Sequence, residues 1–396
     1  MIQLTTYSEA REAFRSRDLR QALYDEGERL MNGVIVNLHG DEHVARRRLE
    51  NRLFRRDTFA WYERDRIPTI IDDVLHTARR NGGGDLLPLA KRTMMTLSVE
   101  VAGVSTPADP TRFYELMEAL ARASTVAHAT GDTTAVIERG DRALAEFDRD
   151  YFQPALAERH TLVTQVERGL LPESELSRDV LTTLVRNQDR LAITPATLLR
   201  EVAYFPWVGS HSTSAQLVHA MHHIFEWLAE HPGDRATLID DHVLRQRFVH
   251  ESMRLHPASP IARRTATVAI ELRSGRVIAD GQTVEISVEQ ANRDPSIFGD
   301  AAHEFQPDRS LPDGVPAWGL SFGHGTHACL GQELAGGIEQ PPAESDEPHL
   351  LGAVALMAGA MLRAGARPNP NHPPALDSST TRVVWGSYPV LLDSPG

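Results

Sequence analysis

One cysteine, Cys329, occurs in 396 residues, within Ser321-Phe322-Gly323-His324-Gly325-Thr326-His327-Ala328-Cys329-Leu330-Gly331. A sole cysteine forms neither an internal disulfide nor a cysteine zinc cluster, which leaves a free thiol or a single metal ligand. Gly323, Gly325 and Gly331 admit tight turns and close backbone approach. The apolar run after Cys329 can open a helix and place the sulfur at a positive dipole end, a setting that favours a thiolate. Phe322 could shield that sulfur from water. The other reading is a glycine-rich loop before a helix, with an inert buried cysteine.

The pattern Phe-x-x-Gly-x-x-x-Cys-x-Gly, formed by Phe322, Gly325, Cys329 and Gly331, resembles the heme-ligand loop of the cytochrome P450 (heme-thiolate monooxygenase) family, bacterial soluble type. The resemblance implies a mainly α fold with small β-sheets, in one domain over 1–396. It implies heme b (iron protoporphyrin IX) ligated by Cys329, with Phe322, Gly325, His327 and Gly331 against the cofactor. It also implies O2 as co-substrate and electrons from NAD(P)H, delivered through ferredoxin and ferredoxin reductase.

Length alone suggests two or three domains, yet no Gly/Ser-rich or Pro-rich linker divides the chain, which favours one large helical domain. Hydrophobic residues at 41% suffice for a sizeable core, and a net charge of −13 argues against nucleic acid and anionic membranes as partners. Met1 to Leu23 holds no apolar run of signal or transmembrane length, so a cytoplasmic protein without a membrane span is expected. The stretch from Leu4 to Phe14 resembles the strand and helix that in the family follow a further helix and strand pair. An N-terminus shortened in this way predicts a wide substrate entrance, or one covered by another molecule. A homodimer or a carrier protein bearing the substrate would serve.

Asp41 can cap a helix carrying His43 and Arg47 at i, i+4, two donors on one face that suit a carboxylate. They match the family's His-x-x-x-Arg pair, which binds heme propionates; the plainer reading is a solvated basic helix start. Apolar spacing predicts helices from Asp57 through Trp61, Ile67, Ile70, Ile71, Val74 and Leu75, then over 87–104, 112–127 and 134–166. A long helix follows from Thr194-Pro195 to about Glu230, before His231-Pro232-Gly233. Inside it, Pro206, Gly209, Ser210, Ser212, Thr213 and Ser214 all oppose plain helix, and local rules broken together point to a site. The segment resembles the family's distal helix. Val208 and Gly209 stand where a small pair opens a groove for dioxygen, His211 where an acid belongs, and Ser212, beside Thr213, where an alcohol belongs. His211, Ser212 and Thr213 are therefore catalytic candidates, and Tyr204, Val208 and Gly209 pocket candidates; His211 could instead face neighbouring helices or solvent.

The stretch 238–255 reads as one helix with Glu251 and Arg254 at i, i+3. Phe305 to Arg309 resembles the family segment that brings a second arginine, Arg309, to the same glutamate, a charge-assisted triad able to pin the layer behind the cysteine loop. Ile261 and Ala262 would line the pocket. Either Arg264 or Arg263 would hold a propionate, since successive strand side chains face opposite ways. Strands are predicted over 268–272, 276–278 and 283–288 with a hairpin turn at Asp280-Gly281, and a final pair over 382–385 and 388–392 brings Trp385 towards the pocket. Gly336-Gly337 and the following acidic, proline-containing stretch interrupt the helix after Gly331, an inserted loop over about 336–349.

Two activities follow. One is a monooxygenase that inserts oxygen from O2 into a small organic substrate, apolar or aromatic, in bacterial secondary metabolism. The other needs no reductase: a peroxygenase, or a redox-neutral isomerase or dehydratase, which would account for the absent acid at position 211. A heme binder without catalysis is a third possibility.

Overall fold

The computed structural model describes residues 1–105, 110–338 and 349–395. Its principal helices are α1 (Tyr7–Arg15), α2 (Gly40–Glu50), α3 (Ile67–Arg80), α4 (Leu86–Ala102), α5 (Pro110–Ser124), α6 (Thr133–Phe147), α7 (Gln153–Glu167), α8 (Pro195–Glu230), α9 (Asp234–Asp240), α10 (His242–Leu255), α11 (Gln332–Gly336) and α12 (Ala353–Arg363). The strands are β1 (Ile2–Leu4), β2 (Leu19–Gln21), β3 (Gly83–Asp85), β4 (Ile261–Ala266), β5 (Ile270–Glu271), β6 (Val277–Ile278), β7 (Thr283–Ser287), β8 (Arg367–Pro368), β9 (Ala375–Leu376), β10 (Trp385–Ser387) and β11 (Pro389–Leu391). The described residues gather into two compact units, one of 1–22, 56–93 and 212–396, the other of 23–55 and 94–211.

The first unit is built on a sheet of order β1-β7-β4-β2, in which β1 runs parallel to β7 and the other pairs are antiparallel. Alternation along β4 buries Ala262, Arg264 and Ala266 on one face and leaves Ile261, Arg263 and Thr265 half-buried on the other. Helix α1 covers the buried face: Tyr7, Ala10, Ala13 and Phe14 recur at helical spacing and join Leu4, Leu19, Val284 and Ile286 in one cluster. Burying a ring such as Phe14 stabilises by roughly 1.5–3 kcal/mol. The opposite face carries polar cross-strand pairs, Arg263 with Glu285 at 3.2 Å and Thr265 with Thr283 at 2.8 Å.

The structure departs from the sequence reading at several places in this unit. Strands β5 and β6 form a separate hairpin, and the turn at Asp280-Gly281 leads from β6 into β7, which pairs with β4 instead. The last two strands do not pair with each other: β10 joins β9, and β11 lies between β3 and β8. The helix expected over 238–255 is two. Asp241 caps α10 by accepting from the Leu244 N–H at 2.9 Å, while the buried Arg245 guanidinium donates to the Leu238 and Ile239 carbonyls that end α9, at 2.7 and 2.9 Å. The break after α11 is closed by Gly337 and Gly352, at φ +78° and +84°, and by the Ile338 N–H on the Leu350 carbonyl at 2.7 Å. Glu63 accepts from the Leu351 and Gly352 N–H groups, and α12 starts at Ala353. Most of the expected insertion, 339–348, lies outside the described residues.

In the second unit α5 and α6 pack closely because Gly140 has no side chain; a Cβ there would stand 2.3 Å from the Ala123 methyl. Phe113 closes the pair against Phe147 and Tyr151. The helix expected over 134–166 widens at 148–152 between α6 and α7, because Pro154 has no N–H to donate four residues back. The same device, with Pro68, widens 62–66 before α3 in the first unit. Helix α2 starts at Gly40 with Asp41 in its first turn, so the cap position belongs to His39 and not to Asp41. Helix α8 occupies the predicted span and stays helical through Pro206.

Candidate functional site

The cysteine loop is shaped by Gly323 and Gly325, at φ +68° and +73°, and closed by the Cys329 N–H, which donates to the Phe322 carbonyl at 2.8 Å. At Gly325 a Cβ would stand 2.7 Å from the Phe14 carbonyl oxygen, so only glycine lets the loop lie on the end of α1. Phe322 stands edge-on to Trp318 at 5.3 Å, and Gly336 packs on its ring. Cys329 is exposed and in no disulfide. Gly331 caps α11, a helix of only five residues, and His327 is half-buried. Burial, and then the charges of Arg11 and Arg15, lower the pKa of His324.

Behind the loop, Arg254 donates to both oxygens of Glu251 at 2.7 Å, and Arg309 reaches Oε1 of the same carboxylate at 3.1 and 3.2 Å. Glu251 and Arg254 are buried, and Arg254 also binds the carbonyls of Asn292 and Ala302 at 2.6 and 2.8 Å. A buried ion pair is tolerated only when its remaining donors are satisfied in this way. Asn292, fully buried, relays the network to the loop: its amide nitrogen donates to the Arg254 carbonyl and to Ser321 Oγ, and its oxygen accepts from the Leu320 N–H at 2.7 Å. The role of Asn292 was not legible from spacing. A Gly at 319 was its one trace, since a Cβ there would strike the Asn292 side chain.

Helix α8 is buried along most of its length, but Val208, Gly209, His211, Ser212 and Ala215 are half-buried. Their spacing places them on one stripe of the helix. Thr213 is buried. His211 Nε2 lies 2.8 Å from Glu118 Oε2 on α5, and Nδ1 lies 2.9 Å from the Trp207 carbonyl oxygen. His211 thus meets a carboxylate supplied from another helix. The absent Cβ of Gly209 faces Ser98 of α4, whose Oγ would be 2.6 Å away. Tyr204 is buried edge-on to Trp207 at 5.2 Å and beside Phe205, which stacks on Phe54.

The candidate anion donors differ in their surroundings. Arg264 is buried, lies over the Phe14 ring at 5.4 Å and donates to the Gln21 side-chain oxygen and the Arg263 carbonyl. Arg263 is engaged by the Glu285 carboxylate. His43 is buried, and desolvation followed by the charges of Arg47 and His39 lowers its pKa to about 4, so it is neutral near pH 7. Arg47 donates to Asn51 Oδ1 at 3.1 Å. Ile261 is half-buried, whereas Ala262 belongs to the core beneath the sheet.

Two buried groups escaped the sequence reading altogether. In the first unit His219, His222 and His223 of α8 gather with His256: the rings of His219 and His256 stack at 4.3 Å, and His223 stacks on Phe305 at 4.4 Å. Trp385 packs on His222 at 4.8 Å, and its Nε1 makes no hydrogen bond among the described residues. Burial and mutual repulsion hold the pKa of His219 at about 4, that of His223 at about 3 and that of His256 at about 2. In the second unit Glu201 of α8 accepts from the Ile35 N–H at 2.9 Å and from Arg46 at 2.8 Å, and burial raises its pKa to about 7. Glu50, fully buried, is raised well above the usual carboxylate range by burial and then by Glu201.

The donor set at the loop fits a single axial thiolate: one accessible sulfur, a fixed backbone and a rigid buried layer behind it. A cysteine loop anchored in this manner on a helical scaffold is the architecture of heme-thiolate proteins. The family model for Cytochrome P450 matches residues 10–336, most of the chain, and the chain belongs to that family. Probable cytochrome P450 313a5 of Drosophila melanogaster is 29% identical over 199 residues, 49% of this chain and 39% of that protein. The chain spans about two fifths or less of the length of the curated relatives it matches. The crystal structure of CalO2 shares the fold at a TM-score of 0.75 and 20% identity, over 100% of this chain and 91% of that one. P450BioI, solved with an acyl carrier protein ligated to hexadec-9Z-enoic acid, shares it at 0.74 and 19%, over 99% of this chain and 92% of that one.

Proposed function

We propose that this chain is a heme-thiolate monooxygenase with Cys329 as axial ligand, acting on a small organic substrate in bacterial secondary metabolism. The observation that carries the reading is the loop: the sole cysteine stands exposed on backbone turned by positive-φ glycines and tied through Asn292 to the buried Glu251 network. Heme held by one thiolate supplies activation of O2 with two electrons from NAD(P)H, passed on by ferredoxin reductase and ferredoxin. Of the two arginines that the resemblance offers to a propionate, Arg264 is the first choice; Arg263 engages Glu285. His43 and Arg47 are the further donors that the resemblance implies. Tyr204, Val208, Gly209, Ile261, Ala262 and Trp385 are the pocket residues that the resemblance implies, and Val208, Ile261 and Trp385 are half-buried. His211, Ser212 and Thr213 are the catalytic candidates that the resemblance implies, with a hydroxyl able to hold a proton for a route through O2.

No described helix is long and apolar enough to cross a membrane. A cytoplasmic setting is part of this reading. A ferredoxin, or a carrier domain bearing the substrate, is the partner that this reading implies. The test is the carbon monoxide complex of the reduced protein, whose red-shifted Soret band reports a thiolate ligand. Cys329→Ser should abolish the band, and a band that survives refutes the assignment. Turnover with peroxide alone, and none with NADPH, ferredoxin and its reductase, would put the reductase-independent reading in its place.

A further inference from the structure

We infer that Tyr388 is a redox-active tyrosine: it gives one electron to an oxidised Trp385 and its phenolic proton to His222, and so removes a one-electron oxidant that incomplete reduction of O2 leaves in the protein. The use of this relay rests on the monooxygenase reading, whereas the relay itself rests on side chains of the first unit. Tyr388 lies between β10 and β11 and is 2% exposed. Its N–H donates to Asp85 Oδ2 of β3 at 3.0 Å, and its carbonyl accepts from the Leu86 N–H at 3.0 Å, so the backbone is clamped on both sides. The ring stands edge-on to Trp385, with centroids 5.1 Å apart, and the phenolic oxygen lies 3.1 Å from Nδ1 of His222 on α8. Trp385 packs on the same imidazole at 4.8 Å, so the three rings form one contact group.

The direction of the hydrogen bond follows from Glu226. Its carboxylate lies 3.4 Å from His222 Nε2, one helical turn further on, and an acceptor there favours the tautomer with its hydrogen on Nε2. Nδ1 then carries the lone pair, and the Tyr388 hydroxyl donates. Burial, opposed by Glu226, lowers the pKa of His222, so its ring is neutral near pH 7 and able to take a proton. Burial and then Glu226 push the pKa of Tyr388 up to about 12, so the phenol keeps its proton until it is oxidised. The nearby His219 and His223, held at about 4 and about 3, are weaker bases. Loss of one electron makes a phenol strongly acidic. The electron passes to the oxidised indole, the O–H bond breaks and an N–H bond forms at Nδ1, which leaves neutral Trp385, a neutral phenoxyl at Tyr388 and an imidazolium at His222. Glu226, 64% exposed, balances that imidazolium at the surface. Trp385 suits the part of electron carrier because its Nε1 has no hydrogen-bond partner among the described residues. Without an acceptor the oxidised indole keeps its proton and remains a strong enough oxidant to draw on Tyr388.

The experiment compares wild type, Tyr388→Phe, Trp385→Phe and His222→Asn on the full chain, with circular dichroism to check that each is folded. His222→Asn keeps an acceptor for the phenol but takes no proton. Two oxidants are used: a photogenerated ruthenium(III) polypyridyl complex, which needs no heme, and hydrogen peroxide added to the heme-loaded, substrate-free protein. Radicals are read by high-field electron paramagnetic resonance on samples frozen at pH 7. With both oxidants wild type should give a hydrogen-bonded tyrosyl signal that Tyr388→Phe and Trp385→Phe lose, and His222→Asn should show an indole radical in its place. A hydrogen-bonded tyrosyl signal unchanged in Tyr388→Phe overturns the proposal, as does one unchanged in His222→Asn. A signal from the photochemical oxidant but none from peroxide, with the thiolate signature intact, overturns the removal of oxidant and leaves the monooxygenase reading standing. Loss of the thiolate signature in wild type would instead remove the functional reading, while the photochemical arm still decides the pairing of Tyr388 with His222.

Discussion

Replacing His223 by phenylalanine should make the protein relatively more stable in acid. Folded His223 stays neutral down to about 3, because burial and the neighbouring His222, His219 and Arg293 disfavour its cation, whereas the unfolded residue titrates near 6.5. Between those values the unfolded chain binds one more proton than the folded one, so stability falls as pH falls. The slope is about 1.4 kcal/mol per pH unit, which gives a loss of about 2 kcal/mol from this one side chain between pH 7 and pH 5. His223→Phe keeps the ring stacked between Phe305 and His256 but cannot titrate. It also removes the bond between Nδ1 and the buried Ser252 hydroxyl, at 3.1 Å, a pH-independent cost of about 1–2 kcal/mol. Urea denaturation at both pH values, followed by circular dichroism, separates the two effects. The variant should be less stable at pH 7 and should draw level with or overtake wild type at pH 5. A stability gap that is the same at both pH values would refute the argument, since His223 would then protonate as readily folded as unfolded.

Other outcomes follow from the same structure. Glu50→Gln should gain on wild type as pH rises from 5 to 7, because a carboxyl whose folded pKa is raised loses stability as pH climbs past its unfolded value, at most about 1.4 kcal/mol per unit; parallel denaturation curves would count against it. Asn292→Ala orphans the buried Leu320 N–H and the Arg254 carbonyl and should cost about 2–4 kcal/mol in urea denaturation, with a loss below 0.5 kcal/mol arguing against the relay to the loop. Excision of 339–348 with a two-glycine bridge should shift the melting temperature little, because Ile338 and Leu350 are already hydrogen-bonded at 2.7 Å; a collapse of folding would show that the excised residues hold the break together.

Local rules carried the sequence reading a long way where the cause was itself local. The span of α8 followed from a capping threonine, a proline tolerated in the first turn and a proline-glycine stop, and the opposite facing of Arg263 and Arg264 followed from strand alternation. Gly323, Gly325 and Gly337 announced turns because positive φ excludes most other residues. Boundaries failed where a distant side chain set them, as when Arg245 ended α9 by binding its last carbonyls.

Two of the four borders between the units fall inside helices, at 93/94 in α4 and 211/212 in α8, and no linker composition marks a border within a helix. The sequence by itself determined the cysteine loop, its glycines and the helical periodicity, since those depend on the chemistry and spacing of near neighbours. Only the tertiary structure decided that Glu118 meets His211 across 93 positions, that Asn292 joins Arg254 to Leu320, and that His256 closes on His219 and His223. Such pairings depend on which elements pack together, and no local pattern encodes the identity of a partner many turns away.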